Sequence, residues 1–300
     1  MLTLNNKFLL GSYKKVFRVK SPKGSPVERL FKLMIEKGFI DGLLTCKEEN
    51  GHSHPALILK PKEVKIPQVN RCFGVNGLLK KAVQKLRLNK LAVYAPACMF
   101  DGLNKTQYFG IGCNWTKTAV ALKVGVVCSG ALTEAAQEAE VAHITGRRGK
   151  VKRAFYHGGE LHYLLDTNRE VKVPLPVHHR YTVTACRYCL NLSARGTDIT
   201  FVPTREEKEG LFIVRSERGW STLAKVQRGA PGELQFKPAT QEEVNLIAQA
   251  LRSKLLLNIQ DILERIELGL PVPKWSDNKL RKFYRAWNSI EGTNLEEEVF

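Results

Sequence analysis

The chain has 300 residues, 43% hydrophobic and 25% charged, the composition of a globular protein with room for two domains and a sizeable core. No run approaches the roughly 20 apolar residues of a membrane helix, and residues 1–15 hold no apolar stretch long enough for a secretory signal. The formal net charge of +18 asks for an anionic partner. Nucleic acid is disfavoured as that partner, because no helix-turn-helix, RNP-like strand or finger spacing is present.

In chain order, residues 25–37 carry the clearest helix signals: Ser25 as N-cap, Pro26 first in the helix and Glu28 completing a capping box. Val27, Leu30, Phe31 and Met34 form its apolar stripe, and Gly38 stops it. Residues 43–46 and 56–59 read as strands joined by a polar turn. Residues 77–86 read as a basic amphipathic helix, 91–94 and 124–127 as buried strands, and 132–139 as a helix. Alternating strand and helix is what a mostly parallel sheet requires. From Gly146 the pattern changes to short strands, with hairpin turns at Gly149-Lys150 and Gly158-Gly159. Residues 169–175, 198–202 and 211–215 continue it. Thr240 and Glu243 open a capping box on a long helix with Val244, Ile247, Leu251, Leu255, Ile262 and Ile266 near one face, ended by Gly269 and Pro271. A last basic helix is expected over 279–287.

Seven cysteines at irregular spacing, with no signal peptide, argue against a disulfide framework and for a reducing, cytoplasmic setting. Cys98 and Cys128 each follow a predicted strand. Ligands collect outside the carboxyl ends of parallel strands, so both thiols are candidates for one site. Cys186 and Cys189 form a C-x-x-C pair able to chelate one metal centre. Four thiolates suit a cubane iron–sulfur cluster or a structural zinc. Cys113 is the reserve ligand, while Cys46, inside a strand, and Cys72 read as structural. The loop carrying Lys23, Gly24 and Ser25 runs into a helix N-terminus, where N–H groups and a lysine favour an anion. The histidines show no metal-ligand spacing, and most of them read as surface or hairpin residues.

These residues, in this order, resemble the coenzyme F-420 hydrogenase/dehydrogenase beta-subunit family over roughly residues 20–225. The family's "EEGLIDG" block is matched by Glu36-Lys37-Gly38-Phe39-Ile40-Asp41-Gly42, "GTPCQ" by Ala95-Pro96-Ala97-Cys98-Met99, and "IGLFC" by Val124-Gly125-Val126-Val127-Cys128. The "CxxCxDFSAELADISVG" block is matched at Cys186, Cys189, Asn191, Ser193-Ala194 and Thr197-Asp198-Ile199-Thr200. Gly210, Ile213-Val214-Arg215 and Gly219 resemble the strand that follows it. Two departures stand out: the glycine and threonine of "GTPC" are replaced, and Phe201-Val202 is bulkier than the family's pair.

The resemblance implies an α/β (mixed α+β) fold: a mostly parallel sheet with flanking helices, a β-rich cluster-binding segment and a helical C-terminal tail. The expected division is 1–140 for a flavin-binding part, 141–228 for the β-rich segment and 229–300 for the helical region. Cys98, Cys128, Cys186 and Cys189 would hold a [4Fe–4S] cluster, with FAD nearby on Lys23, Gly24 and Ser25 and oriented by Asp198. The implied activity is that of an oxidoreductase subunit exchanging a hydride with coenzyme F-420 or another two-electron carrier. No C-x-x-C-x-x-C run is present, so electrons are expected to leave to another subunit. The expected docking element is the C-terminal pair of helices, where Lys274, Lys279, Arg281, Lys282 and Arg285 crowd Trp275, Tyr284 and Trp287. The competing reading is a non-enzymatic, zinc-stabilised basic binding module.

Overall fold

A computed structural model describes residues 9–49, 52–67, 74–110 and 112–272. The proposed docking residues from Lys274 onward, and Cys72, lie outside the described residues. The elements are β1 (Lys15–Lys20), α1 (Pro26–Glu36), β2 (Gly42–Glu49), β3 (His52–Ile58), α2 (Gly77–Lys80, continued by a π turn Lys81–Lys85), β4 (Leu91–Pro96) and α3 (Ala97–Phe109). They continue with α4 (Trp115–Ala119), β5 (Val120–Val126), α5 (Glu134–Thr145), β6 (Val151–His157), β7 (Glu160–Leu165), β8 (Glu170–Val173) and α6 (Leu175–Tyr181). After a 3-10 turn (Thr184–Tyr188) come β9 (Ile199–Pro203), β10 (Glu209–Val214), α7 (Glu217–Gly229), β11 (Gln235–Pro238) and α8 (Gln241–Glu267).

Eight strands form one sheet in the order β11-β1-β10-β9-β5-β4-β2-β3. Its centre, β9-β5-β4-β2, is parallel. Antiparallel strands extend it on both sides, through the β2-β3 hairpin and through β10, β1 and β11. The expected parallel core is therefore present, bordered by antiparallel strands: β3 on one side and β10, β1 and β11 on the other. The short strands β6, β7 and β8 pair separately as a small meander inserted between β5 and β9.

Both faces of the large sheet are covered, and side-chain alternation assigns each residue to a face. Ala92, Tyr94, Phe212 and Val214 pack with Leu30, Phe31 and Met34 of α1 and with Leu223 and Val226 of α7. On the other face, Leu211 and Ile213 pack against Val244, Ile247, Leu251 and Leu255 of α8. On that same face, Val93 and Ala95 meet Phe100 and Leu103 of α3. The meander packs on α5 through Val141, Tyr163 and Leu165.

The long helix α8 starts at the full capping box expected of Thr240 and Glu243. The box expected at Ser25 does not close: Glu28 instead accepts the Ile66 N–H at 2.8 Å, which leaves the first turn of α1 without a side-chain cap. Gly38 takes the left-handed conformation that stops α1. A second difference concerns disulfides, which the cysteine pattern argued against: buried Cys46 is disulfide-bonded.

Gly125 in β5 is a packing requirement, because a Cβ there would lie 2.3 Å from the Cβ of Ala194. Gly125→Ala must push away the loop that follows the C-x-x-C pair. We expect a loss of about 1–3 kcal/mol of stability, the cost of overpacking, read as a lowered midpoint in chemical denaturation. A variant as stable as the parent would show that this loop is not held against β5.

Candidate functional site

The site grows from the register of two neighbouring parallel strands. Pro96 at the end of β4 lies opposite Val126 at the end of β5. Cys98 is two residues past the first and Cys128 two residues past the second. Cys98 thereby sits on the first turn of α3, a helix that sequence reading missed, where backbone N–H groups face its sulfur. After β5 the chain stays in the sheet for one more step: Val127 N–H donates to Phe201 O at 3.0 Å and Cys128 N–H to Leu192 O at 2.9 Å.

The Cys186 and Cys189 loop is folded onto this edge. Cys186 lies in the 3-10 turn and Cys189 follows at its end. Ala131 N–H points at Cys186 Sγ at 3.4 Å. Gly130, at a φ of +128°, lets the loop approach, since a Cβ there would come within 2.5 Å of Thr182 Cγ2. The four thiols predicted as a set are thus brought within electrostatic range of one another. The Cys98 side chain is exposed at the rim of the site, and the partial desolvation there, with Cys186 adding to it, raises its pKa. Burial likewise pushes Cys128 far up, assisted by Cys186, Cys189 and Cys98. Burial pushes Cys189 up to about 11, with Cys98 and Cys186 among the contributors. Thiols gathered in this way are a candidate donor set for a group that brings its own positive charge. Among the described residues no three His, Cys, Asp or Glu side chains stand close enough to hold one metal ion. A cubane does not require that, since each thiolate binds a different iron.

Helix α8 closes the site from the side, through residues that sequence reading did not single out. Lys254, Asn258 and Asp261 fall at i, i+4 and i+7, one polar stripe within an apolar face. Asn258 is fully buried and its Nδ2 donates to the carbonyls of both Cys186 (3.1 Å) and Cys189 (2.6 Å). Lys254 is 1% exposed. Its Nζ bonds His179 Nδ1 at 2.6 Å, His179 Nε2 bonds Asp261 Oδ2 at 3.0 Å, and Asp261 Oδ2 also takes Arg187 Nε at 2.6 Å. Burial pushes Lys254 down to about 8, opposed by the thiols of Cys128 and Cys186 and by Asp261. Burial, with Lys254 next in weight, also lowers His179. His178 is buried too, bonding Glu140 Oε1 at 2.8 Å. The expectation of surface histidines therefore fails for this adjacent pair.

The remaining predicted residues fall elsewhere. Ser25 lines a small cavity with Tyr94, Val126, Ser129, Tyr156 and Phe201. Its enclosed volume is about 30 Å³, so toward the Ser25 loop the structure presents a narrow mouth. Residues 126–129 form a wall common to this mouth and to the cysteine site. Lys23 is exposed and Gly24 left-handed, both on the approach to the uncapped start of α1. Asp198 is not in that lining: it is buried and accepts Lys123 N–H at 2.8 Å and the Ser216 hydroxyl at 2.6 Å, tying β5 to the starts of β9 and α7. Cys113 lies in the turn before α4, where its carbonyl accepts the Thr116 N–H and hydroxyl. A wider cleft of about 570 Å³ lies over Cys189, lined by Lys105, Tyr108, Phe109, Tyr188 and Arg195 among others.

The fold is that of a mixed α/β protein with thiols gathered at the carboxyl edge of its parallel strands, and comparison with known proteins narrows its class. Residues 88–242 match the model of the coenzyme F420 hydrogenase/dehydrogenase beta subunit, C terminus. The chain belongs to that family. It is 23% identical over 291 residues to the coenzyme F420 hydrogenase subunit beta of Methanothermobacter thermautotrophicus, covering 88% of this chain and 99% of that protein. It is 23% identical over 248 residues to the Methanococcus voltae subunit of the same name, covering 80% of this chain and 87% of the relative. In structure it resembles a chain of the xenon-derivatised F420-reducing [NiFe] hydrogenase complex from Methanosarcina barkeri. The TM-score is 0.75 at 18% identity, over 88% of this chain and 97% of that one, a likeness of fold.

Asn258→Ala should free the Cys186 and Cys189 loop. Two part-buried carbonyls lose their donor, a cost of about 1–3 kcal/mol. Hydrogen–deuterium exchange should accelerate in residues 183–190 while the β4 and β5 amides stay protected. Unchanged exchange in that loop would show that α8 does not hold it.

Proposed function

We propose that this chain is the electron-transfer subunit of an oxidoreductase complex, carrying FAD and one [4Fe–4S] cluster. It exchanges a hydride with coenzyme F-420 or another two-electron carrier and passes single electrons onward. The observation that carries this reading is the convergence of Cys98, Cys128, Cys186 and Cys189 on the carboxyl edge of β4 and β5. When bound, the flavin supplies the change from two-electron to one-electron chemistry and the cluster supplies one-electron transfer.

The chain's own residues bind and orient. The four cysteines ligate, and Asn258 fixes the peptide groups on both sides of the chelating pair. The Lys23, Gly24 and Ser25 loop offers a cation and uncapped helix N–H groups to the FAD phosphates. Asp198 acts at a distance, by fixing β5 against β9. The zinc-stabilised alternative needs one ion held by several of these donors, and the described residues offer no such group. The relatives are subunits of coenzyme F420 hydrogenases. By that likeness this chain also works beside other redox subunits, which its charge of +18 suits if they are acidic. Among the described residues no helix is long and apolar enough to cross a membrane.

A second seat for the flavin is favoured by space: the cleft over Cys189 is far roomier than the mouth at Ser25, and it combines aromatic rings with Lys105 and Arg195. One set of variants separates the two seats. Anaerobically purified protein should show flavin bands over a broad iron–sulfur absorbance. Cys186→Ala and Cys189→Ala should lose nearly all iron, and Cys113→Ala should keep it. Lys23→Glu should deplete flavin with iron retained; if Lys105→Glu does so instead, the flavin belongs over Cys189. Full iron in both C-x-x-C variants would refute the cluster assignment.

A further inference from the structure

The polar stripe on α8 has no role in packing a sheet, and it costs stability to bury. A lysine that is 1% exposed is stable only beside compensating negative charge or strong acceptors. Two kinds of group face Lys254. One is His179, whose Nδ1 lies 2.6 Å from Nζ. The other is the chelating loop, since Asn258, one helical turn from Lys254, bonds the carbonyls of Cys186 and Cys189, and negative charge on the thiols there would favour this ammonium. The direction of the histidine contact is fixed from its far side. Asp261 Oδ2 is an acceptor, so His179 Nε2 must carry the proton there, and Nδ1 is left with a lone pair. Lys254 is therefore the donor in this contact. Asp261 is itself held by Arg187, the residue next to Cys186 in the chelating loop. The chain of bonds that starts at Lys254 ends in the chelating loop, and Asn258, one turn from Lys254, holds that loop's carbonyls. Lys254 is thus oriented from the same platform that shapes the ligand loop.

We propose that Lys254 is the positioning charge of the cysteine site: an ammonium, aimed by His179 and Asp261, that raises the reduction potential of the cluster bound there. This rests on the cluster reading above. Four thiolates leave a [4Fe–4S] centre with net negative charge, and taking up one electron adds another. A fixed cation in a low-dielectric surround stabilises the reduced state more than the oxidised one. A lysine that only packed α8 would affect folding and leave the potential alone.

The test is a dithionite titration of the full chain, purified anaerobically and followed by electron paramagnetic resonance with redox mediators; dithionite donates the electron. Lys254→Met and Lys254→Gln should keep iron and sulfide at the parent level. Their one-electron reduction equilibrium should fall by about tenfold or more, a shift of about 59 mV to more negative potential. Lys254→Arg should stay close to the parent. A Met variant with full iron and an unchanged potential overturns the proposal. If the neutral variants fold but lose iron while Lys254→Arg keeps it, the charge is needed even to retain the cluster, which supports it. If Lys254→Arg loses iron as well, the residue acts by shape and the proposal fails. A parent chain that takes up no iron at all defeats the cluster reading, and this inference with it.

Discussion

The constraint on which the site depends is the parallel pairing of β4 with β5, Pro96 opposite Val126. Parallel strands end on the same side, so whatever follows each strand meets its neighbour there. Cys98 and Cys128 are brought together by that register alone. Shifting the pairing by one residue would turn the inward sets of β4 to the wrong face and separate the two thiols. Gly125 and Gly130 then keep the edge low enough for the 182–196 segment to lie across it. The second pair of cysteines thus arrives from nearly 60 residues downstream without any strand of its own at this end.

Between Cys128 and Cys186 the chain makes α5, the meander and α6, and this excursion has a structural consequence. The adjacent histidines of α6 face opposite ways. His178 is bonded to Glu140 of α5 and lies near the Tyr163 hydroxyl of β7, anchoring the small unit. His179 reaches α8 and the cysteine site. One short helix therefore couples the packing of the meander to the geometry of the ligand loop. Ser193 and Arg215 do related work on the far side of that loop: Arg215 donates to the carbonyls of Ser193 and Leu10, both at 2.6 Å. Burial, with the Arg195 cation adding to it, draws the Arg215 guanidinium down to about 9.

Much of this was legible in the sequence because local chemistry wrote it there. The capping box at Thr240, the left-handed stop at Gly38 and the apolar runs of β4 and β5 all depend on neighbours within a few positions. The four cysteines stood out as candidates because two thiols followed strands and two were spaced to chelate. What was not legible depends on long-range partners. Glu28 looked like half of a capping box, and only the fold reveals that Ile66 N–H competes for it. Asp198 sits inside the family's cysteine block, yet its carboxylate serves Lys123 and Ser216. Lys254, Asn258 and Asp261 were hidden in a helix read for its apolar face. The available signal was polar residues at i, i+4 and i+7 inside that face, a pattern that a buried helix does not carry without a reason.

The central claim, that four cysteines from three separate segments hold one cluster, is tested most directly by native mass spectrometry of the full chain purified without oxygen. The account predicts a species heavier than the polypeptide by one [4Fe–4S] unit, and that increment should vanish in Cys98→Ser as well as in Cys186→Ser. An increment of a single zinc, or a cluster that survives both substitutions, would contradict it.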